Sequence, residues 1–172
     1  MRKLAFLPML LLVFAAGCED DPPTEPTPTT PTFAMPLLSS NEVPPITNVE
    51  STCSGTVTIR LNITRDSAQA ITAATADFTA NITGCPADTN VTAAHIHEGP
   101  AGQATGVVVN TGITSGSVPL SNGAGSFTRN GINVTDVSIA QRMLDNPISF
   151  YFNIHSTRNS GGFIRAQLVR TQ

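Results

Sequence analysis

Lysine is nearly missing from this chain: Lys3 is the only one, and charged residues of every kind make up 12% of its 172 residues. From Phe33 onward seven arginines stand against eight aspartates and glutamates, so that part is close to neutral. A phosphate backbone is held by a dense cationic surface, and a chain this poor in cations excludes nucleic acid as a partner. Histidine is scarce, with three residues, and cysteine equally so. The longest apolar run, Leu4 to Ala16, falls short of the ~20 residues a membrane-spanning helix requires. The length leaves room for one domain around a single core.

That apolar run follows Arg2 and Lys3 and ends in small residues before Cys18, which is the order of charges and apolar residues in a secretion signal. Phe14-Ala15-Ala16-Gly17-Cys18 resembles a bacterial lipobox, with Ala15 where leucine is commonest. The resemblance implies that residues 1–17 are a lipoprotein signal peptide and that Cys18 is lipidated as the new N-terminus. Cleavage near Ala16 by the ordinary signal peptidase, leaving a free secreted protein, is the alternative. Several acyl chains hold far better than one, at about 0.8 kcal/mol per buried CH₂. Residues 18–32 form the tether: Glu19 to Thr32 contains only Glu, Asp, Pro and Thr. It has nothing to bury, and its prolines favour an extended spacer of roughly 40 Å. The expected place is the bacterial cell envelope, lipid-anchored and facing the periplasm or the cell exterior.

Residues 33–172 carry the folded domain. Leu37 to Pro45 is a short extended piece ended by a double proline. Thr56 to Ile63 alternates strictly, with Val57, Ile59, Leu61 and Ile63 on one face, as a half-buried antiparallel strand does. After a polar turn at Arg65-Asp66-Ser67, Ile71 to Ile82 repeats the habit with Phe78, Ala80 and Ile82 inward. Val91 to His97, Val107 to Val109, Phe150 to His155 and Phe163 to Val169 are further strands, and Ser115 to Gly125 is a hairpin or open loop. The one helix is Asp136 to Leu144, capped by Thr135, with Val137, Ala140, Met143 and Leu144 as its apolar stripe. Many short strands and one short helix predict an all-β, Greek-key β-sandwich of the immunoglobulin-like or superoxide dismutase-like kind. With Cys18 taken by lipid, Cys53 and Cys85 remain as a pair in an oxidising compartment, and a disulfide is expected over two free thiols.

The three histidines stand in two places, His95-Ile96-His97-Glu98-Gly99-Pro100 and Tyr151-Phe152-Asn153-Ile154-His155. Successive side chains of a strand alternate faces, so His95 and His97 share one side, and His155 shares a side with Tyr151 and Asn153. Three imidazoles form a ligand set suited to copper, with zinc the second choice. The alternative is structural histidines that bond backbone groups in a tight loop.

Asn41-Glu42-Val43-Pro44-Pro45, Ala94-His95-Ile96-His97-Glu98-Gly99-Pro100-Ala101 and Asn153-Ile154-His155-Ser156, followed by Gly161-Gly162-Phe163-Ile164-Arg165, together resemble the CHRD domain. That domain is named for the bone-morphogenetic-protein inhibitor chordin and occurs in many bacterial secreted proteins. The resemblance runs from about Pro36 to Leu168. Phe163 replaces the glutamate of the family's usual Gly-Gly-Glu-Ile-Arg. A weaker similarity, to copper/zinc superoxide dismutase, implies that His95, His97 and His155 are copper ligands. The chain departs from that enzyme in having no fourth histidine to bridge two metals and no zinc loop, and Arg165 is the nearest counterpart of its anion-guiding arginine.

Two functions of different class follow. One is a tethered binding or structural module that presents loops to an extracellular protein or polysaccharide, with a candidate three-histidine copper site. The other is a copper-dependent superoxide dismutase-like enzyme. No catalytic residue is assigned: Glu98 reads as a loop carboxylate, and Ser156 faces away from His155.

Overall fold

The computed structural model describes residues 30–172. The segment expected to be a signal peptide, Cys18 and most of the expected tether lie outside the described residues. The first strand opens at Thr32, the last residue assigned to the tether by sequence.

Eight antiparallel strands follow: β1 (Thr32–Leu38), β2 (Ser54–Arg65), β3 (Ile71–Thr83), β4 (Val91–Glu98), β5 (Val107–Asn110), β6 (Gly125–Asn133), β7 (Phe150–Ser156) and β8 (Ile164–Gln167). They make one sheet in the order β5-β4-β7-β8-β1-β2-β3-β6. The seam between its halves is narrow, a pairing of Leu38 with Arg165 between β1 and β8. Phe78 of β3 nevertheless stacks on Phe152 of β7 with ring centroids 5.8 Å apart. Those strands stand far apart in the sheet order, so the sheet folds over on itself and its halves face each other across one core. The all-β expectation therefore holds, with the two layers joined into one near-closed sheet.

The alternation that identified β2 is the alternation that fills the core. Val57, Ile59 and Leu61 are buried and pair with Ala80, Phe78 and Ala76 of β3. Burying a Phe or Ile side chain is worth about 1.5–3 kcal/mol each. The turn from β2 to β3 is set by Asp66, whose Oδ1 accepts from the Ala68 and Ala70 amides at 2.9 Å. Cys53 and Cys85 are disulfide-bonded, as expected. At a sequence separation of 32, the crosslink stabilises by about 3 kcal/mol in the chain-entropy picture.

Helix α1 (Val137–Asp145) differs from expectation at its start and along its buried face. Asp136, not Thr135, is the cap, its Oδ1 accepting from the Ser138 amide at 2.9 Å. The buried side chains are Ile139, Ala140 and Met143, with Leu144 at the edge. Strand β6 was not anticipated. Only Phe127 along it is fully buried, and Gly131 interrupts it with φ +66°. Its alternation is therefore broken where β2 and β3 are regular.

Candidate metal centre

Every residue of β7 is buried, on both faces. Phe150, Phe152 and Ile154 fill the core, so Tyr151, Asn153 and His155 point to the outer face of the sheet, which must be covered by loops rather than water. Residues 99–106 supply much of that cover. Arg165 of β8 donates to the Gln103 carbonyl at 2.8 Å and the Pro100 carbonyl at 3.2 Å. Gln167 donates to the Gly99 carbonyl at 3.0 Å. The result is a second, polar interior above β4, β7 and β8.

Register assembles the histidines there. Ala93 of β4 lies opposite His155, His95 opposite Asn153, and His97 opposite Tyr151. One candidate nitrogen from each of His95, His97 and His155 lies within 4.8 Å of the other two. Ligand bonds of about 2.0–2.1 Å allow separations up to roughly 4 Å around one ion, so a modest closure would complete coordination. All three residues expected from sequence thus meet in one place.

Their hydrogen bonds settle which nitrogens are free. A carbonyl can only accept, so His97 Nδ1–H donates to Thr105 O at 2.8 Å and His155 Nδ1–H donates to Ser160 O at 2.8 Å. Both rings therefore present an unprotonated Nε2. His155 Nε2 faces His95 Nδ1 at 3.0 Å, whereas His97 Nε2 is buried with no partner. Backbone carbonyls holding the far nitrogen of an imidazole are the usual support for a metal-ligating histidine. Burial disfavours the charged ring in all three, and it pushes His95, with His155 and His97 beside it, down to about 4. For His97 burial outweighs the opposing bond to Thr105, and for His155 it outweighs the bond to Ser160. Neutral imidazoles are the form that binds a metal.

The surroundings hold these rings in place. The His97 ring lies parallel to Tyr151 at 4.6 Å, and the Arg165 guanidinium carbon sits 3.4 Å from the Tyr151 ring centroid. The Tyr151 hydroxyl accepts from the Thr105 amide at 3.0 Å. Glu42 is buried near Arg165 and Asn153; burial raises its pKa to about 7 against the lowering effects of the Arg165 charge and the Asn153 amide. Arg165 is 2% exposed. Its charge is spent on loop carbonyls and the Tyr151 ring, not on guiding an anion to a mouth.

Glu98, at the end of β4, accepts from Arg142 Nε and Nη2 at 2.8 Å each. It ties β4 to α1 and does not face the histidines' cavity as a base would. Ser156 donates to buried Glu50 at 2.6 Å. Sequence reading passed over Asn153 and Glu42 as members of this site. The signal was present in the motifs Asn41-Glu42 and Asn153-Ile154-His155, but alternation names a shared face without saying that the face is buried.

The family model that matches this chain is described as the CHRD domain, and it covers residues 33–168. No curated protein and no solved structure matches.

Proposed function

The chain belongs to the CHRD domain family, and on that premise we propose a lipid-anchored, extracytoplasmic binding module that captures a divalent metal, copper before zinc, through His95, His97 and His155. The observation that carries the metal reading is His97 Nε2, buried, unprotonated and without a partner. An orphaned acceptor of that kind costs about 1–3 kcal/mol, and a bound ion removes the cost. The all-imidazole donor set suits copper and zinc, and the neutral state of the rings at pH 7 lets an ion bind without displacing stabilised protons.

The anchor rests on the lipobox-like Phe14 to Cys18 and on the Pro/Thr spacer. Together they would hold the domain at the surface of the bacterial envelope, where its loops can also meet a protein or polysaccharide. Capture and delivery of metal is the role this reading favours. Superoxide chemistry is the alternative use of such a site, and a superoxide assay on copper-loaded protein decides it.

The full chain, solubilised in detergent and stripped with chelator, is expected to take up one Cu(II) per chain, and His97→Ala to bind about 100-fold more weakly. No uptake near micromolar copper, or equal affinity in the two forms, would remove the metal reading. Cys18→Ser should shift the protein from the membrane to the soluble fraction while leaving copper affinity unchanged. Retention in the membrane fraction would contradict lipidation at that residue.

A further inference from the structure

We propose that Asn153 is the fourth ligand of this centre, its side-chain oxygen completing an N₃O set that selects divalent ions. The inference rests on the metal reading above and names what that reading leaves open.

Asn153 is 1% exposed and lies on β7 between Tyr151 and His155, across from His95 on one side and Arg165 on the other. Its amide has one orientation, because Nδ2 donates to the Gly161 carbonyl at 3.2 Å. Oδ1 is thereby turned to the histidines and lies 3.0 Å from His155 Nε2. Counting protons shows what that contact implies. His155 gives its only N–H to Ser160 O, so an unshared pair on Nε2 meets an unshared pair on Asn153 Oδ1. His97 Nε2 adds a third acceptor without a donor. The one N–H that points inward, on His95 Nδ1, already serves His155 Nε2. Three acceptors and one proton are a poor arrangement for a hydrogen-bonded cluster and a suitable one for a cation.

Moving the His95 proton from Nδ1 to Nε2 leaves unprotonated acceptors on all three rings and on Asn153 in one cluster, with no proton gained or lost. In a tetrahedral site with bonds of about 2.0–2.1 Å, neighbouring ligand atoms stand roughly 3.3 Å apart. The two 3.0 Å separations to His155 Nε2, from His95 Nδ1 and from Asn153 Oδ1, are close to that spacing. An amide oxygen is a hard donor, which suits Cu(II) and Zn(II) and contributes little to soft Cu(I). Asn153 therefore sets which oxidation state the site retains.

The test measures Cu(II) and Cu(I) affinities of the full chain by competition with chromophoric chelators, together with the Cu(II) electron paramagnetic resonance spectrum. Asn153→Ala should keep one site, bind Cu(II) about 10–100-fold more weakly, change the parallel hyperfine splitting, and leave Cu(I) affinity within about threefold. Asn153→Asp should restore or exceed wild-type Cu(II) affinity with a spectrum shifted by the carboxylate. Equal Cu(II) affinity and an unchanged spectrum in Asn153→Ala would overturn the assignment while His97→Ala still reports on the metal reading. Equal losses for both oxidation states would show a merely structural asparagine and overturn it as well. If Asn153→Ala does not fold by circular dichroism, Asn153→Asp affinities decide: Cu(II) affinity at or above wild type with Cu(I) affinity unchanged supports the oxygen ligand, and a weaker Cu(II) site overturns it.

Discussion

Arg165→Met is expected to destabilise the fold by about 2–4 kcal/mol and to weaken copper binding with it. The guanidinium is fully enclosed, and it supplies donors to Gln103 O, Pro100 O and Gln167 Oε1. The two loop carbonyls belong to exposed residues, and Pro100 O also accepts from the Gln103 amide, so losing these bonds costs about 1 kcal/mol each. Loss of the stacked contact with Tyr151 adds up to about 2 kcal/mol for a desolvated cation on a ring, and the new methionine's packing offsets part of the sum. The consequence for the site runs through the 99–106 loop. Once its carbonyls are released, Thr105 no longer holds His97 Nδ1–H in place, and the free Nε2 loses its aim. Arg165→Lys should not rescue, because a compact ammonium cannot reach two loop carbonyls and lie flat on a ring at once. Guanidinium chloride unfolding of the three proteins checks this; a loss below 1 kcal/mol in Arg165→Met, or recovery by lysine, contradicts it.

The contrast between what was legible and what was not has a physical origin in that same layer. Val57, Ile59 and Leu61, like Phe78 and Ile82, announce their strands because one face is apolar and the other polar. His95-Ile96-His97 and Asn153-Ile154-His155 announce shared faces for the same reason, and β4–β7 pairing then brings the three rings together. Strand β6 stayed hidden because it packs little more than Phe127 and bends at Gly131. The helix cap moved by one residue because Thr135 and Asp136 are both good caps and only the chain's entry angle chooses between them. The polar interior was illegible for a deeper reason. Tyr151, Asn153, His155, Arg165 and Gln167 have the composition of a solvent-facing row, and their enclosure depends on loops that arrive from distant parts of the chain. Glu42 shows the same limit: nothing local predicts that a loop carboxylate is enclosed and that its pKa rises to about 7.

Gly162→Ala is the second large effect, and Gly161→Ala is its control. Gly162 holds φ +123°, a conformation that costs an ordinary residue about 1–3 kcal/mol. A Cβ there would also collide with Asn153 Nδ2 and with Glu42 Oε1. Both atoms end side chains that are buried, Asn153 at 1% and Glu42 at 6% exposure, so the displacement falls on buried polar groups. Displacing a buried amide from its acceptor adds about 1–3 kcal/mol, for a total loss of about 3–5 kcal/mol. A Cβ at Gly161 meets nothing within 4 Å, so Gly161→Ala should cost less than about 1 kcal/mol although its carbonyl receives the same Asn153 amide. Copper separates the two variants again. Pushing Asn153 aside should reproduce in Gly162→Ala the Cu(II) weakening of Asn153→Ala, while Gly161→Ala binds as wild type. Equal stabilities for the two alanine variants would mean that Gly162 is not where Glu42 and the β7 asparagine are fitted together. A destabilised Gly162→Ala with undiminished Cu(II) affinity would separate the packing of this corner from the metal's oxygen ligand.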